Sequence, residues 1–255
     1  MRGSKIPLRL LSEQFVKAQT ACATKKLVPL VCQPVLDGRC YAIFTTPQKG
    51  SSMLAKGGYW LIALVIGYLL GSIPVGFLVV RLSRGLDVRR IGSGRTGGTN
   101  VLRAAGWGAA VATGLGDALK GAAAVWLTRA LEGPPLLQAL AGFAAVVGHN
   151  YSVFLGLRGG AGTATSIGGA IALWPTGGLL AVPILLAAVF LTRYASVGSI
   201  SVALFLPLAF AVGAARDAIP WAYEAHAVLT SALTLWALRP NIRRLWQGEE
   251  RRIPK

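Results

Sequence analysis

"GGAGTATSIGGAIALWPTGGLLAVPILLAAVFLT" runs from Gly159 to Thr192, 34 residues without a charge. A bilayer-crossing helix needs about 20 apolar residues, so this run is too long for one span and short for two full ones. Pro-Thr-Gly-Gly at 175–178 reads as the turn that divides it, which leaves an unusually short segment at 162–174. On its N-terminal side lie three apolar stretches: Gly57–Val80, about 107–130 with Asp117 and Lys120 inside it, and Gly133–Leu157. Tyr194–Ala215 and about 219–238 follow it. Charge decides whether 162–174 is a span or a re-entrant hairpin. With seven spans, one side receives the loop 81–106, Arg158, Arg193 and the tail 239–255, which hold 14 Lys/Arg, and the short loops opposite hold only Arg129 and Arg216. With six, the basic tail would move to the outside, against the positive-inside tendency. The expectation is therefore an all-α, polytopic integral membrane protein with about seven transmembrane helices, N-terminus outside and C-terminus cytoplasmic.

Composition agrees. The chain has 255 residues, 54% hydrophobic and 14% charged, with a mean hydropathy of +0.57, whereas a soluble domain is roughly 25% charged. A net charge of +17 would suggest nucleic acid in a soluble protein. Here it reads as basic loops facing anionic lipid and anionic substrates, with no nucleic acid as partner. All three cysteines, Cys22, Cys32 and Cys40, fall early and lack paired histidines, so neither a zinc site nor a disulfide framework is expected. Residues 1–52 hold eight Lys/Arg, two acids and no apolar run of spanning length. They read as a disordered or mis-annotated N-terminal extension ahead of a single membrane domain, 53–255.

In this topology the glycine-rich loops fall on one side. "IGSGRTGGTNVLR", Ile91 to Arg103, fits G-x-G-x-x-G at Gly92, Gly94 and Gly97. That fingerprint works between a strand and a helix of a soluble βαβ unit, and the flanks here are apolar helices, so no dinucleotide and no other cofactor is expected. What remains is a loop of backbone N–H groups, hydroxyls (Ser93, Thr96, Thr99), the amide of Asn100, and Arg89, Arg90, Arg95 and Arg103. Glycine lets such a backbone approach an anion as a concave nest, arginine adds a bidentate clamp, and the dipole of the second helix, which the loop enters, favours negative charge. The same residues also suit a plain turn whose arginines touch lipid phosphates. "RGGAGTATS" at 158–166 repeats the chemistry with Arg158, Gly159, Gly160 and Gly162, although small residues at Gly162, Ser166 and Ala170 also serve close helix packing.

Ionisable groups inside a membrane are candidates for function by default. Asp117 and Lys120, at i and i+3, can neutralise each other or lock helices together. His149, near the end of the third helix, can serve as a base or as a hydrogen-bonded structural residue. His226, close to Glu224, reads as interfacial.

These motifs, in this order from about residue 67 to 250, resemble the bacterial acyl-phosphate:glycerol-3-phosphate acyltransferase family, PlsY. The resemblance rests on "GSIPVGFLVVRLSRGLDVRRIGSGRTGGTNVLRAAG", "GDALKG", "GHNYSVFLGLRGGAGTATS", "RYASVGSI" and "RPNIRRLWQGEE". It implies acyl transfer from acyl phosphate to the 1-hydroxyl of glycerol 3-phosphate, giving lysophosphatidic acid and phosphate at the cytoplasmic side of a bacterial cell membrane. A soluble acyl-phosphate synthase would then be a functional partner, and membrane lipids the surroundings. In the family the substrate's own phosphate is proposed to help deprotonate the attacking hydroxyl. Carried over by position, Ser93, Arg103 and Ser196 are implied as catalytic. Arg95, Thr99, Asn100, Arg158, Gly159, Gly160, Gly162 and Asn241 are implied as substrate-binding, with Asp117, Lys120 and His149 in support. The chain departs from the family where lysine gives way to Ala161, an amide to Arg95, and a histidine to Leu238. Either Arg95 and Arg158 replace the missing cation, or the chain is a divergent paralogue that binds or transports a phosphorylated anion.

Overall fold

The computed structural model describes residues 30–34, 40–44 and 53–253, with side chains from Gly57 onward. The chain forms two units, Met1–Met53 and Leu54–Lys255. In the first, β1 (Leu30–Pro34) pairs antiparallel with β2 (Cys40–Phe44), Leu30 opposite Phe44 and Pro34 opposite Cys40. The expectation of an all-α chain did not foresee this hairpin. The rest of the stretch read as an extension, 1–52, lies outside the described residues.

The second unit is helical: α1 (Met53–Ser72), α2 (Val75–Arg84), α3 (Gly98–Ala105), α4 (Trp107–Ala130), α5 (Pro135–Asn150), α6 (Thr163–Leu173), α7 (Pro175–Thr192), α8 (Ala195–Ala215), α9 (Glu224–Ala237) and α10 (Arg239–Trp246). Proline and glycine punctuate it. The stretch expected to be one helix over 57–80 breaks at Pro74, which has no N–H to continue the ladder. The carbonyls at that break are taken by side chains: Ser152 Oγ donates to the Ser72 carbonyl at 2.6 Å, and Lys120 Nζ to that of Ile73 at 2.9 Å. Pro-Thr-Gly-Gly is not the turn that the sequence suggested. The chain bends at the extended Trp174, and Pro175 opens α7 at its first position, where a missing N–H costs nothing.

The short α6 sits at the centre, buried along most of its length and packed against α4, α5, α7 and α9. Its glycines serve close approach. A methyl at Gly168 would run into the Ala118 carbonyl, and one at Gly121 of α4 would strike the Thr165 carbonyl, so the two helices meet backbone to backbone in the manner of small-residue pairs in membranes. Ile167, Ala170, Leu206, Phe210 and Tyr223 form the core beside it, with Trp174 edge-on to Phe210 at 5.5 Å.

The outside of the bundle is apolar: Leu61, Leu115, Leu119, Leu204 and Leu208 are all exposed. Among the described residues, three helical stretches are long and apolar enough to cross a membrane by length and composition: Gly57–Arg84, which takes in the Pro74 break, Pro175–Thr192 and Ala195–Ala215. Polar groups inside and leucines outside is the arrangement that a lipid solvent demands. His226 corrects its reading as interfacial. It is wholly buried, with Nε2 at 3.1 Å from the Ser166 carbonyl and the ring against Gly142 and Gly169. A glycine at each of those positions leaves the volume that the imidazole fills.

Candidate active site

The first glycine loop is folded by Asn100. Its Nδ2 donates to the carbonyls of Val88, Ile91 and Arg95 at 3.0, 2.9 and 2.9 Å, and its Oδ1 accepts from the Ser93 N–H at 3.0 Å. The side chain is buried and fully engaged, so Asn100 shapes the loop and has no atom left for a substrate. Gly92 and Gly94 hold positive φ, and a side chain at Gly92 would strike Asn100 Oδ1. Glycine is therefore required at Gly92 on two counts. Asp87 caps the preceding turn by accepting from the Arg89 N–H and guanidinium at 2.8–3.2 Å, and this pairing lowers its carboxyl to about 2. The loop enters α3, a separate eight-residue helix, and not α4 as the sequence suggested. The N–H groups of Gly97, Gly98 and Thr99 donate to no other group of the described chain. They are the free donors of a helix start, with Ser93 exposed beside them.

The second loop packs on the end of α5. Gly160 N–H donates to the His149 carbonyl at 3.2 Å, and a side chain at Gly160 would occupy the place of His149 Nε2. His149 Nδ1 lies 3.3 Å from Asp117 Oδ1, which is 2.8 Å from Lys120 Nζ. The three buried groups and the Ile73 carbonyl thus form one chain of contacts that runs from the α1–α2 break to the second glycine loop. Arg158 is exposed. Gly162, at positive φ, faces the carboxamide of Asn150, which is buried with neither polar atom paired among the described residues. A narrow crevice lined by Thr163, Ser166, Ser199, Ser231 and Thr234 joins the start of α6 to α8 and α9.

The last element is the C-terminal segment. Glu250, nearly buried, accepts from Ser196 Oγ at 3.1 Å, Asn241 Nδ2 at 2.7 Å and Arg244 Nε at 2.8 Å. Ile253 holds the segment down by a reciprocal pair with Arg193: its N–H donates to the Arg193 carbonyl at 2.8 Å, and it accepts from Arg193 Nη2 at 3.0 Å. Arg103 Nη2 reaches the Arg251 carbonyl at 3.4 Å, and Arg95 donates to the Ala237 carbonyl at the end of α9. Burial lowers the Arg95 guanidinium, with Arg244 adding to the effect and Glu250 opposing it. Burial likewise lowers Arg103, with Arg251 adding and Glu250 opposing. Ser196 of α8 and Asn241 and Arg244 of α10 are thus brought onto one carboxylate, with Arg103 bonded to the carbonyl of the next residue, Arg251. Sequence reasoning missed that carboxylate, Arg244 and the orphaned amide of Asn150. Glu250 was hidden in a basic tail, and its only signal was an acid pair closely following two arginines.

Comparison with known proteins gives the arrangement its context. The glycerol-3-phosphate acyltransferase family profile matches residues 61–248. A glycerol-3-phosphate acyltransferase of Rubrobacter xylanophilus is 44% identical over 193 residues, covering 76% of this chain and 94% of that protein. One from Thermus thermophilus is 44% identical over 192 residues, covering 74% and 93%. Crystal structures of PlsY (YgiH), an integral membrane glycerol 3-phosphate acyltransferase, superpose with TM-scores of 0.69 in the glycerol 3-phosphate form and 0.68 in the lysophosphatidic acid form. Both are 33% identical and cover 76% of this chain, with 96% and 95% of theirs matched. With the profile match running through the helical bundle and both glycine loops and relatives 44% identical over most of their length, the chain belongs to the glycerol-3-phosphate acyltransferase family of integral membrane proteins.

Proposed function

We propose that this protein transfers a fatty acyl group from acyl phosphate to the 1-hydroxyl of glycerol 3-phosphate, giving lysophosphatidic acid and phosphate at the cytoplasmic face of a bacterial cell membrane. The observation that carries the reading is the gathering of Arg244, Ser196 and Asn241 on the Glu250 carboxylate, with Arg103 on the adjoining Arg251 carbonyl and Arg95 on that of Ala237. A place that already holds one anion among cations and hydroxyl donors suits phosphorylated substrates. The hydroxyl oxygen attacks the acyl carbon, the bond from that carbon to the phosphate oxygen breaks, and phosphate leaves with the electron pair. Arg103, Ser93 and Ser196 act at the reacting end. Arg95, Thr99 and Asn241 hold phosphate oxygens, while Gly159, Gly160 and Gly162, with Arg158 at the rim, form a second cradle at the start of α6. Asn100 fixes the first loop, and Asp117, Lys120 and His149 brace the second. His149 is buried with Nε2 packed against Gly160, and the Glu250 carboxylate is already bonded three times, so neither offers a free face to a substrate hydroxyl, which favours the substrate's own phosphate as proton acceptor. Glycerol 3-phosphate should raise the melting temperature of the purified protein, and glycerol at the same concentration should not. Equal or absent shifts would contradict the reading.

Arg95 answers the family departures in a particular way. Its guanidinium sits on the Ala237 carbonyl, next to Leu238, and the negative end of the α9 dipole steadies a cation there. Arg95 therefore supplies the charge that is missing at Leu238. Arg95→Asn should raise KM for glycerol 3-phosphate roughly 10-fold, the loss of one charge-assisted bond, and adding Leu238→His should recover more of it than adding Ala161→Lys. Acyl transfer measured across glycerol 3-phosphate concentrations for the three variants decides between the two positions.

The proposed topology has seven spans, with α1 and α2 together as the first and α4 to α9 as the rest, N-terminus outside and C-terminus cytoplasmic. Cysteines introduced near Arg158 and Arg251 should be shielded from impermeant thiol reagents in intact cells, and one near Thr176 should react. Labelling near Arg251 from outside would contradict it. Residues 1–52 are proposed as dispensable: their deletion should leave insertion and activity intact. A soluble acyl-phosphate synthase is the proposed source of the donor.

A further inference from the structure

The helix α10 has two working faces. Asn241 and Arg244 point to Glu250. On the opposite face Arg239, Ile242, Arg243 and Trp246, spaced i, i+3, i+4 and i+7, line with Gln247 a groove of about 380 Å³. Trp246 is 89% exposed and Trp236, on the preceding turn, 55%. Arg239 stacks on the Trp236 ring, its Cζ 3.1 Å from the centroid, and donates from Nε to the Trp236 carbonyl at 2.9 Å. Two guanidinium groups, two indoles and an isoleucine make a surface that is cationic at its rim and apolar along its walls, with no acid among the lining residues. A soluble anion would find charge but no use for the walls, and an apolar peptide would leave the arginines unanswered. Tryptophan and arginine on a short amphipathic helix are the residues of a membrane–water interface, where an indole sits at the headgroup level and cationic side chains meet lipid phosphate.

We infer that this face of α10 binds the headgroup of an anionic phospholipid of the bilayer, and that occupancy steadies Asn241 and Arg244 on the other face. The phosphodiester lies between the Arg239 and Arg243 guanidiniums, and the acyl chains run past Trp246 and Ile242. Because one eight-residue helix carries both faces, a bound lipid limits the rolling and fraying that would take Asn241 and Arg244 off Glu250. Anionic lipid content would thus set the activity of a protein proposed to make an anionic lipid precursor. The binding is independent of the acyl-transfer reading, and only the effect on turnover rests on it.

The test uses the full-length protein in vesicles of phosphatidylcholine alone or with a rising fraction of phosphatidylglycerol. The wild type minus Trp246→Phe emission difference isolates Trp246 from the other six tryptophans. It should shift to the blue as phosphatidylglycerol rises, and turnover should rise with it. Arg239→Gln with Arg243→Gln should need roughly 25-fold more phosphatidylglycerol for the same shift, about fivefold per arginine, while turnover in phosphatidylcholine alone stays at the wild-type level. Emission that ignores lipid charge, or a double variant with unchanged lipid dependence, would overturn the inference. So would emission that follows protein concentration at fixed lipid, which would assign the groove to a second copy of the chain. An intact emission response without acyl transfer in any vesicle would uphold the headgroup site and sink the acyltransferase reading with the coupling to it.

Discussion

Arg103→Ala should lower kcat/KM for glycerol 3-phosphate by roughly 10²-fold or more, the scale seen when one fixed donor to developing charge is removed. Arg103 is a half-buried cation whose only described partner is the Arg251 carbonyl at 3.4 Å. That is a long bond and leaves most of its five donors for a substrate. The substitution removes little packing, so the melting temperature should stay close to that of the wild type. Arg103→Lys keeps the charge without the planar fork and should fall between the two. Steady-state kinetics with a melting curve for each variant separates the readings, because a merely structural arginine would lower stability and activity together.

Lys120→Met should have the largest effect on stability. Lys120 and Asp117 are buried at 2.8 Å, and Lys120 also serves the Ile73 carbonyl. Removal of one member of a buried pair leaves an uncompensated charge, at a cost of about 3–5 kcal/mol, and here it also strips a carbonyl at a proline break of its donor. Lys120→Met combined with Asp117→Leu should be markedly less damaging than the sum of the single changes. Thermal unfolding in detergent gives the numbers. Additive losses would show that the two groups act independently. His149 shares the same carboxylate, so the loss should also reach the second glycine loop, read as weaker binding of glycerol 3-phosphate by the protein that remains folded.

Much of the helical layout was legible because apolar length and proline or glycine punctuation are local. The stretch read as 107–130 coincides with α4, and 162–174 lies within a residue of α6 at each end. The glycine content of that short segment became intelligible only in three dimensions, where Gly168 and Gly121 let α6 and α4 touch through their backbones. The Trp174 corner was misplaced because Pro-Thr-Gly-Gly favours a turn and a helix start alike, and Pro175 took the second. Asn100 was read as a ligand because amides and anions meet in such loops, but burial committed it to four backbone partners. Glu250 escaped because its three partners come from positions 54, 9 and 6 residues away, and no periodicity links an acid in a tail to a serine at the start of α8.

The most direct measurement incubates the purified protein with labelled glycerol 3-phosphate and either palmitoyl phosphate or palmitoyl-CoA, and follows lysophosphatidic acid and released inorganic phosphate. The account predicts product and phosphate in equal amounts from palmitoyl phosphate and no product from palmitoyl-CoA. Product from palmitoyl-CoA at a comparable rate, or none from palmitoyl phosphate, would contradict it.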